Sequence, residues 1–248
     1  MMNFRFTVCT YNIWTNTRWA ERRYPLQQFA TLNRPDLLCL QEVTAESLQA
    51  LDEVLLSTHQ RVQDDFAGWT CEGNLYWRSD MFELVEHGAE QIGIIEQFRR
   101  LFWARLALKD GSGRTILVGT MHLTYSLHPQ TLADEKYARI AQAKATLAAM
   151  NTLAKDDEPQ LLMGDFNDQS AVIKILMEGD FRDCFSQLGR QTSITHPAHP
   201  AWGAGSTIDW LMSRGNTIAP LTADVINFFV NDMPPSDHKP LMATYELR

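Results

Sequence analysis

The 248-residue chain is 45% apolar, enough for a sizeable core, and carries a formal net charge of −8 at pH 7. It lacks any uninterrupted apolar run near the roughly 18 residues of a membrane helix, so no membrane insertion is expected. The acidic balance argues against a protein that grips long nucleic acid through a continuous basic face. It suits one that gathers carboxylates around a divalent cation.

Residues 4–10, FRFTVCT, alternate as a half-buried strand does and lead to Tyr11-Asn12. Residues 24–33 read as a short helix that Pro35 stops, because proline disfavours helical geometry in the residue before it. DLLCLQE, residues 36–42, is an apolar strand ending in a carboxylate. Residues 45–59 set Leu48, Leu51, Val54 and Leu55 at helical spacing. NLYWRS, MFELVEHG and LFWARLAL follow as strands, and Gly111-Ser112-Gly113 turns the chain into the strand RTILVGTMHL. The longest helix candidate spans 131–155, and PQLLMGD is the next strand. Ser170 and Gly179 bracket a further helix. Residues 206–213, 223–230 and 240–247 complete about ten strands.

No repeat, low-complexity segment or Pro/Gly/Ser-rich linker divides the chain. Residues 1–248 are expected to form one domain, an α/β or α+β sandwich of two packed sheets with helices outside. Cys9, Cys39, Cys71 and Cys184 form no CxxC pair, and free thiols in a reducing compartment are expected. The opening MMNFRFTVCTYNIW lacks the pattern of a signal peptide, so a cytoplasmic location is expected.

Apolar strands repeatedly end in, or lead to, a polar group: Asn12, Glu42, His122, Asp165 with Asn167, Asp209, and Asp237 with His238. Singly, each has a plain structural explanation, such as a turn, a helix cap at Thr44 beside Glu42, or a satisfied core histidine. Together, that many buried charges would cost several kcal/mol each unless they converged on a cation and on one another. Magnesium takes oxygen ligands and few protein carboxylates. No cysteine and histidine spacing fits zinc.

TYNIW, LLCLQEV, GTMHL, LLMGDFND, TIDWLM and PSDHKPLMATYEL occur in an order that resembles the endonuclease/exonuclease/phosphatase superfamily, the DNase I-like fold. The resemblance runs from about residue 7 to residue 246. It implies a four-layer sandwich, two central and mostly antiparallel sheets flanked by helices, with the active site fed by strand-end loops. It implies a metal-dependent hydrolase of phosphoric esters, using Mg2+ or Mn2+. By the same resemblance Glu42 would be the main metal ligand, Asn12 would support the metal directly or through water, and Asp237 would sit close to it. Asp165 would orient or deprotonate the attacking water, and Asn167 would hold that water or a phosphate oxygen. His238 would face the scissile phosphate, with Asp209 orienting it. His122 would contact the phosphate or give a proton to the leaving oxygen. One departure is Trp14, which stands where some members carry an acidic residue, so one metal is favoured over two.

Around these, the segment 14–24, WTNTRWAERRY, mixes arginines with aromatics. It either holds phosphates and bases through Arg18, Arg22 and Arg23, or packs its aromatics on the body with the arginines solvated. Residues 195–207 form a long loop whose His196, His199 and Trp202 either touch a leaving group or decorate a surface. Asn74 is either a phosphate contact or a turn residue. The expected substrate is a phosphate ester such as a short nucleic acid or nucleotide, handled by a monomer. A phosphomonoesterase, a lipid head-group phosphodiesterase or a non-catalytic binding module are the alternatives.

Overall fold

The computed structural model describes residues 3–125 and 135–248. In chain order its first half runs β1 (Phe4–Asn12), α1 (Trp19–Asn33), β2 (Leu37–Gln41), α2 (Ala45–Leu55), β3 (His59–Arg61), α3 (Gly68–Cys71), β4 (Gly73–Arg78), β5 (Phe82–Glu90), β6 (Leu101–Leu108) and β7 (Thr115–His122). The second half runs α4 (Glu135–Leu153), β8 (Gln160–Asp165), α5 (Ala171–Glu178), β9 (Arg182–Asp183), α6 (Cys184–Gln187), β10 (Asp209–Arg214), β11 (Ile218–Val225) and β12 (Leu241–Leu247). One six-stranded sheet has the order β11-β12-β1-β2-β4-β3, and the other β5-β6-β7-β8-β10-β9. In each sheet one central pair is parallel, β1 with β2 and β7 with β8, and every other pair is antiparallel.

The two-residue period of a strand explains the layers. Phe6, Val8, Leu37 and Cys39 of the first sheet meet Ile116, Val118, Leu161, Met163 and Leu211 of the second in a central core. The alternate residues Cys9, Tyr11, Leu38 and Leu40 face outward and are covered by Leu26 and Phe29 of α1 and Leu48, Leu51 and Leu55 of α2. On the far side, Leu117, Leu162 and Met212 are covered by Ala143 and Met150 of α4 and Val172, Ile173 and Leu176 of α5. The inward rows then turn polar at one edge: Thr10 and Asn12, Gln41, Thr120 and His122, Asp165, and Asp209 are all buried. Gln41 spans the sheets there, donating to Thr10 Oγ1 at 3.1 Å and Thr120 Oγ1 at 2.7 Å.

Several elements depart from the sequence-based expectation. Helix α1 starts at Trp19, not Tyr24, so Pro25 lies inside it rather than at its first turn. Only 223–225 of the apolar run 223–230 is strand: Ile226 and Phe228 leave the sheet and pack on the layer of α1, with Phe228 5.7 Å from Phe29. The short β3 and β9 had too few residues for a periodic signal. Of the expected helix 131–155, residues 131–134 lie outside the described residues. Among the described residues, no helix is long and apolar enough to cross a membrane.

Candidate active site

Strand register builds the site. Asn12 ends β1 opposite Gln41, the last residue of β2, and His122 ends β7 opposite Asp165, the last of β8. These pairs are parallel, so their C-terminal ends emerge on one edge. Strand β10 runs the other way and brings its first residue, Asp209, opposite Asp165. The turn carrying Asp237 and His238 is fastened to the same edge, because Ser236 Oγ donates to Asn12 O at 2.7 Å and accepts from His238 N at 3.2 Å.

Gly164 shapes the approach to Asp165. Its φ is +141°, and a Cβ at this position would lie 1.9 Å from Met121 O of the neighbouring strand. Only glycine fits that backbone and that gap. Glu42 follows β2 with φ 56°, which turns its carboxylate back toward Asn12 while Thr44 and Ser47 form the capping box of α2. Thr44 and Ser47 therefore cap α2, and the Glu42 side chain faces Asn12 instead.

Asp165 is the hub. Its Oδ2 accepts from Asn12 Nδ2 at 3.1 Å and lies 3.3 Å from His122 Nε2 and 3.6 Å from His238 Nε2. Its Oδ1 accepts from the backbone of Asn167 at 2.9 Å. Asn12 Nδ2 also reaches Glu42 Oε1 at 3.1 Å, while its Oδ1 accepts from Trp14 N at 3.0 Å. Asn12 thus turns its amide hydrogens, not its oxygen, toward the carboxylates. His238 Nδ1 pairs with Asp209 Oδ2 at 2.8 Å. Asp237 has its Oδ2 3.6 Å from His196 Nε2, and its charge also acts on Glu42 and His238.

Burial and charge set the protonation pattern. Burial raises the Asp165 carboxyl to about 7, with His238 working against the rise and Asp209 adding to it. Burial pulls His238 down, but Asp209 and Asp165 outweigh it and lift the imidazole to about 10. His122 is driven well below its ordinary value by burial and by the charges of Arg99 and His238, so it is neutral. Burial also raises Glu42. Among the described residues of this edge, buried Gln41 Oε1, His122 Nδ1 and Asp209 Oδ1 lack hydrogen-bond partners.

Donor atoms of Asp165, Asp209 and His238 lie within 4.8 Å of one another, as do those of His196, Asp237 and His238. Glu42 belongs to neither group; its nearest partners are Asn12 and, at 3.8 Å, His122 Nδ1. Asn167 has φ 48°, and its side chain donates to Leu123 O at 2.9 Å, so its amide nitrogen braces the β7 exit while its backbone holds Asp165.

Several expected substrate contacts are corrected. Arg22 is fully buried and directs its guanidinium to five carbonyls, those of Ile13, Trp14, Thr15, Thr17 and Pro235. It ties the 13–17 turn to the segment before His238 and is unavailable to a ligand. Arg23 is exposed and paired with Glu53 of α2 at 2.9 Å. Asn74 is buried in β4 and donates to Val62 O and Trp69 O, so it is neither a turn residue nor open to a phosphate. Arg18 is exposed and pairs with Glu21, and its guanidinium also lies 5.6 Å over the ring of Trp202. Trp202 in turn is 5.5 Å from Trp14 and 5.2 Å from His199. The two loops flanking the site thus meet in an aromatic shelf.

Thr195 was not foreseen. Its buried Oγ1 accepts from the backbones of Ile208 and Asp209, each at 3.1 Å, and its carbonyl accepts from Lys239 N at 2.7 Å. It therefore holds together the residues flanking the Asp209–His238 pair. Thr195 stands 14 residues before Asp209, inside neither motif, and carries no sequence signal of that role.

Two mixed sheets with helices around them, and buried carboxylates and imidazoles gathered on one edge, define a hydrolytic enzyme of the DNase I-like fold. Residues 9–238 match the model of the Endonuclease/Exonuclease/phosphatase family, and the chain belongs to that family. It is a hydrolase of phosphoric esters, in a family generally dependent on divalent metal. Among solved structures, Danio rerio TDP2 complexed with a single-strand DNA product is 18% identical, with a TM-score of 0.78 over 97% of this chain and 98% of that one. A Bacteroides thetaiotaomicron mannosyl-6-phosphatase is 19% identical, with a TM-score of 0.77 over 96% and 98%. The human Nocturnin catalytic domain with bound sulfate is 18% identical, with a TM-score of 0.79 over 98% and 95%. At these identities the likeness is one of fold. No curated protein sequence matches the chain.

Proposed function

We propose that the chain is a magnesium-dependent phosphodiesterase that hydrolyses short single-stranded nucleic-acid or nucleotide-like diesters through attack of water. The observation that carries this reading is Asp165, a buried carboxyl raised to about 7 and set between Asn12, His122 and His238. A base with a pKa near neutrality is suited to take a proton from water at working pH. The Asn167 backbone fixes one of its oxygens and leaves the other facing the site. Protonated His238, oriented by Asp209, presents positive charge to the oxygens of the pentacoordinate phosphorus. Neutral His122 donates a hydrogen bond to a phosphate oxygen. Asn12 keeps the Glu42 and Asp165 carboxylates apart and aligned.

The residues fit a divalent cation. Four carboxylates, Glu42, Asp165, Asp209 and Asp237, share this edge with one cationic imidazole, and Asp209 Oδ1 is buried without a partner. Glu42 and Asp237 would hold the ion, and Asn12 would brace Glu42 rather than bind directly. Bound there, magnesium would supply Lewis-acid polarisation of the phosphoryl group and neutralise its charge. All the donors are hard oxygens or amides, as magnesium prefers.

The shelf of Trp14 and Trp202, with Arg18 above it, suits a stacked base and its phosphate. The net charge of −8 offers no long basic groove for duplex DNA. The single-strand DNA product in the zebrafish structure is consistent with such a substrate on this scaffold. We read the chain as one domain acting as a monomer; its cysteines are free and three are buried, which fits a reducing compartment. The test is a panel of chromogenic mono- and diesters with a single-stranded oligonucleotide, with and without magnesium. Faster turnover of the monoesters than of every diester would transfer the assignment to a phosphomonoesterase.

A further inference from the structure

A second opening adjoins the catalytic edge. A cavity of about 480 Å³ is lined by Arg139, Asn167, Asp168, Gln169, His196 and Ser206, among others. Two of these, Asn167 and His196, also touch the catalytic groups: Asn167 holds Asp165, and the His196 ring lies 4.7 Å from that of His238. The cavity and the catalytic edge therefore share a wall.

Arg139 is the unusual member. It projects from α4 and is only 6% exposed, yet its Nε is buried without a hydrogen-bond partner. Among the described residues, its one hydrogen bond runs from Nη1 to Thr124 O at a long 3.3 Å. Among the described residues its carboxylate neighbour is Asp168, 3.7 Å from Nε, whose other oxygen is occupied by the backbones of Ser170 and Val172. A buried guanidinium with spare donors is costly unless something completes its hydrogen bonds. Compare Arg22, whose donors all reach carbonyls. Arginine's planar fork matches a phosphate, which two parallel N–H groups can engage.

We propose that this cavity is a second phosphate subsite, in which Arg139 and His196 bind a phosphate group of the substrate next to the one being hydrolysed. The inference rests on the phosphoesterase reading above and narrows it: the preferred substrate carries a second phosphate. Asp168 tempers the charge of Arg139, which favours exchange of the bound group over permanent capture.

The test compares a dinucleotide with and without a terminal phosphate, and a hexose bisphosphate with a hexose monophosphate. The first pair reports a nucleic-acid source of the second phosphate and the second pair a sugar source. In the wild type, one pair shows at least a tenfold advantage in kcat/KM for the member with the extra phosphate. Arg139→Gln cuts that advantage below threefold. Arg139 is buried, so Gln169→Glu, at an exposed position on the same cavity, is made in parallel and reduces the advantage by like-charge repulsion without disturbing the core. An advantage that survives both variants, or that neither pair shows, overturns the subsite. If no ester at all is turned over, the catalytic reading has failed separately. Binding of inorganic phosphate, measured by calorimetry, then decides the subsite: binding weakened tenfold by Gln169→Glu supports it, and unaltered or absent binding overturns it.

Discussion

His238 Nδ1 meets Asp209 Oδ2 at 2.8 Å across 29 residues of chain, with both side chains buried. The contact fixes which ring nitrogen remains for chemistry. Nε2 is left facing Asp165, and the imidazole keeps its proton.

The pair predicts a pH effect with a definite sign. The His238 pKa stands at about 10, above the ordinary 6.5, so its proton is held across the neutral range and lost as pH rises through about 10. Asp209→Asn preserves shape and removes the charge, leaving burial to lower the pKa. The expected result is a kcat at least roughly 10²-fold lower at neutral pH, with the basic limb of the profile moved to lower pH. A profile whose basic limb stays in place in the variant would separate the imidazolium from the rate.

Arg22 gives a stability prediction. Arg22→Ala would leave buried carbonyls at Ile13 and Pro235 without a donor. A loss of roughly 3 kcal/mol is expected, because each unsatisfied buried acceptor costs about 1–3 kcal/mol. At about 2–4 °C per kcal/mol for a chain of this size, Tm falls by about 6–12 °C. Arg22→Lys restores little, since an ammonium cannot span diverging carbonyls. A shift under 2 °C in a melting experiment would show that the guanidinium is replaceable by water.

The contrast between Arg22 and Asp165 marks how far the sequence was legible. Continuous apolar runs in DLLCLQE and PQLLMGD identified two strands, because a sheet buried on both faces needs apolar residues at nearly every position, and alternation identified FRFTVCT. The polar residues closing those runs marked the edge where the buried carboxylates and imidazoles gather. Arginine gives no such signal: its long stem lets the head fold inward or outward from the same position. Arg18, Arg22 and Arg23 thus occupy one short segment yet have three different fates. Asn74 misled for a related reason, since a buried amide and a ligand-facing amide look alike in a sequence. Arg139 and Thr195 stood outside every motif, and their roles come from contacts between distant segments.

The metal reading is checked at Glu42. Activity is expected to require magnesium or manganese and to vanish with a chelator. Glu42→Gln keeps the size and the Asn12 contact side but removes a charge. The magnesium concentration for half-maximal activity should rise at least roughly 10-fold, the lower range for residues that only support ligands. Full activity in excess chelator would exclude the cation from the reaction.

The shelf tests the substrate. Trp202 is half-buried, with Trp14, His199 and Arg18 around its ring, and a base inserted there would stack on an existing aromatic surface. Stacking on such a ring contributes about 1–3 kcal/mol per base, equivalent to about 5- to 150-fold in kcat/KM. Trp202→Ala should therefore lower kcat/KM for a short single-stranded oligonucleotide by that range, mainly through KM. Its effect on a small chromogenic diester should be several-fold weaker, so the measured quantity is the ratio of the two losses. Arg18→Ala should weaken the same oligonucleotide and flatten its salt dependence, because one phosphate contact is removed. Equal losses on both substrates would give Trp202 a structural role, holding the 195–207 loop against Trp14, and would leave the preference for single strands without support.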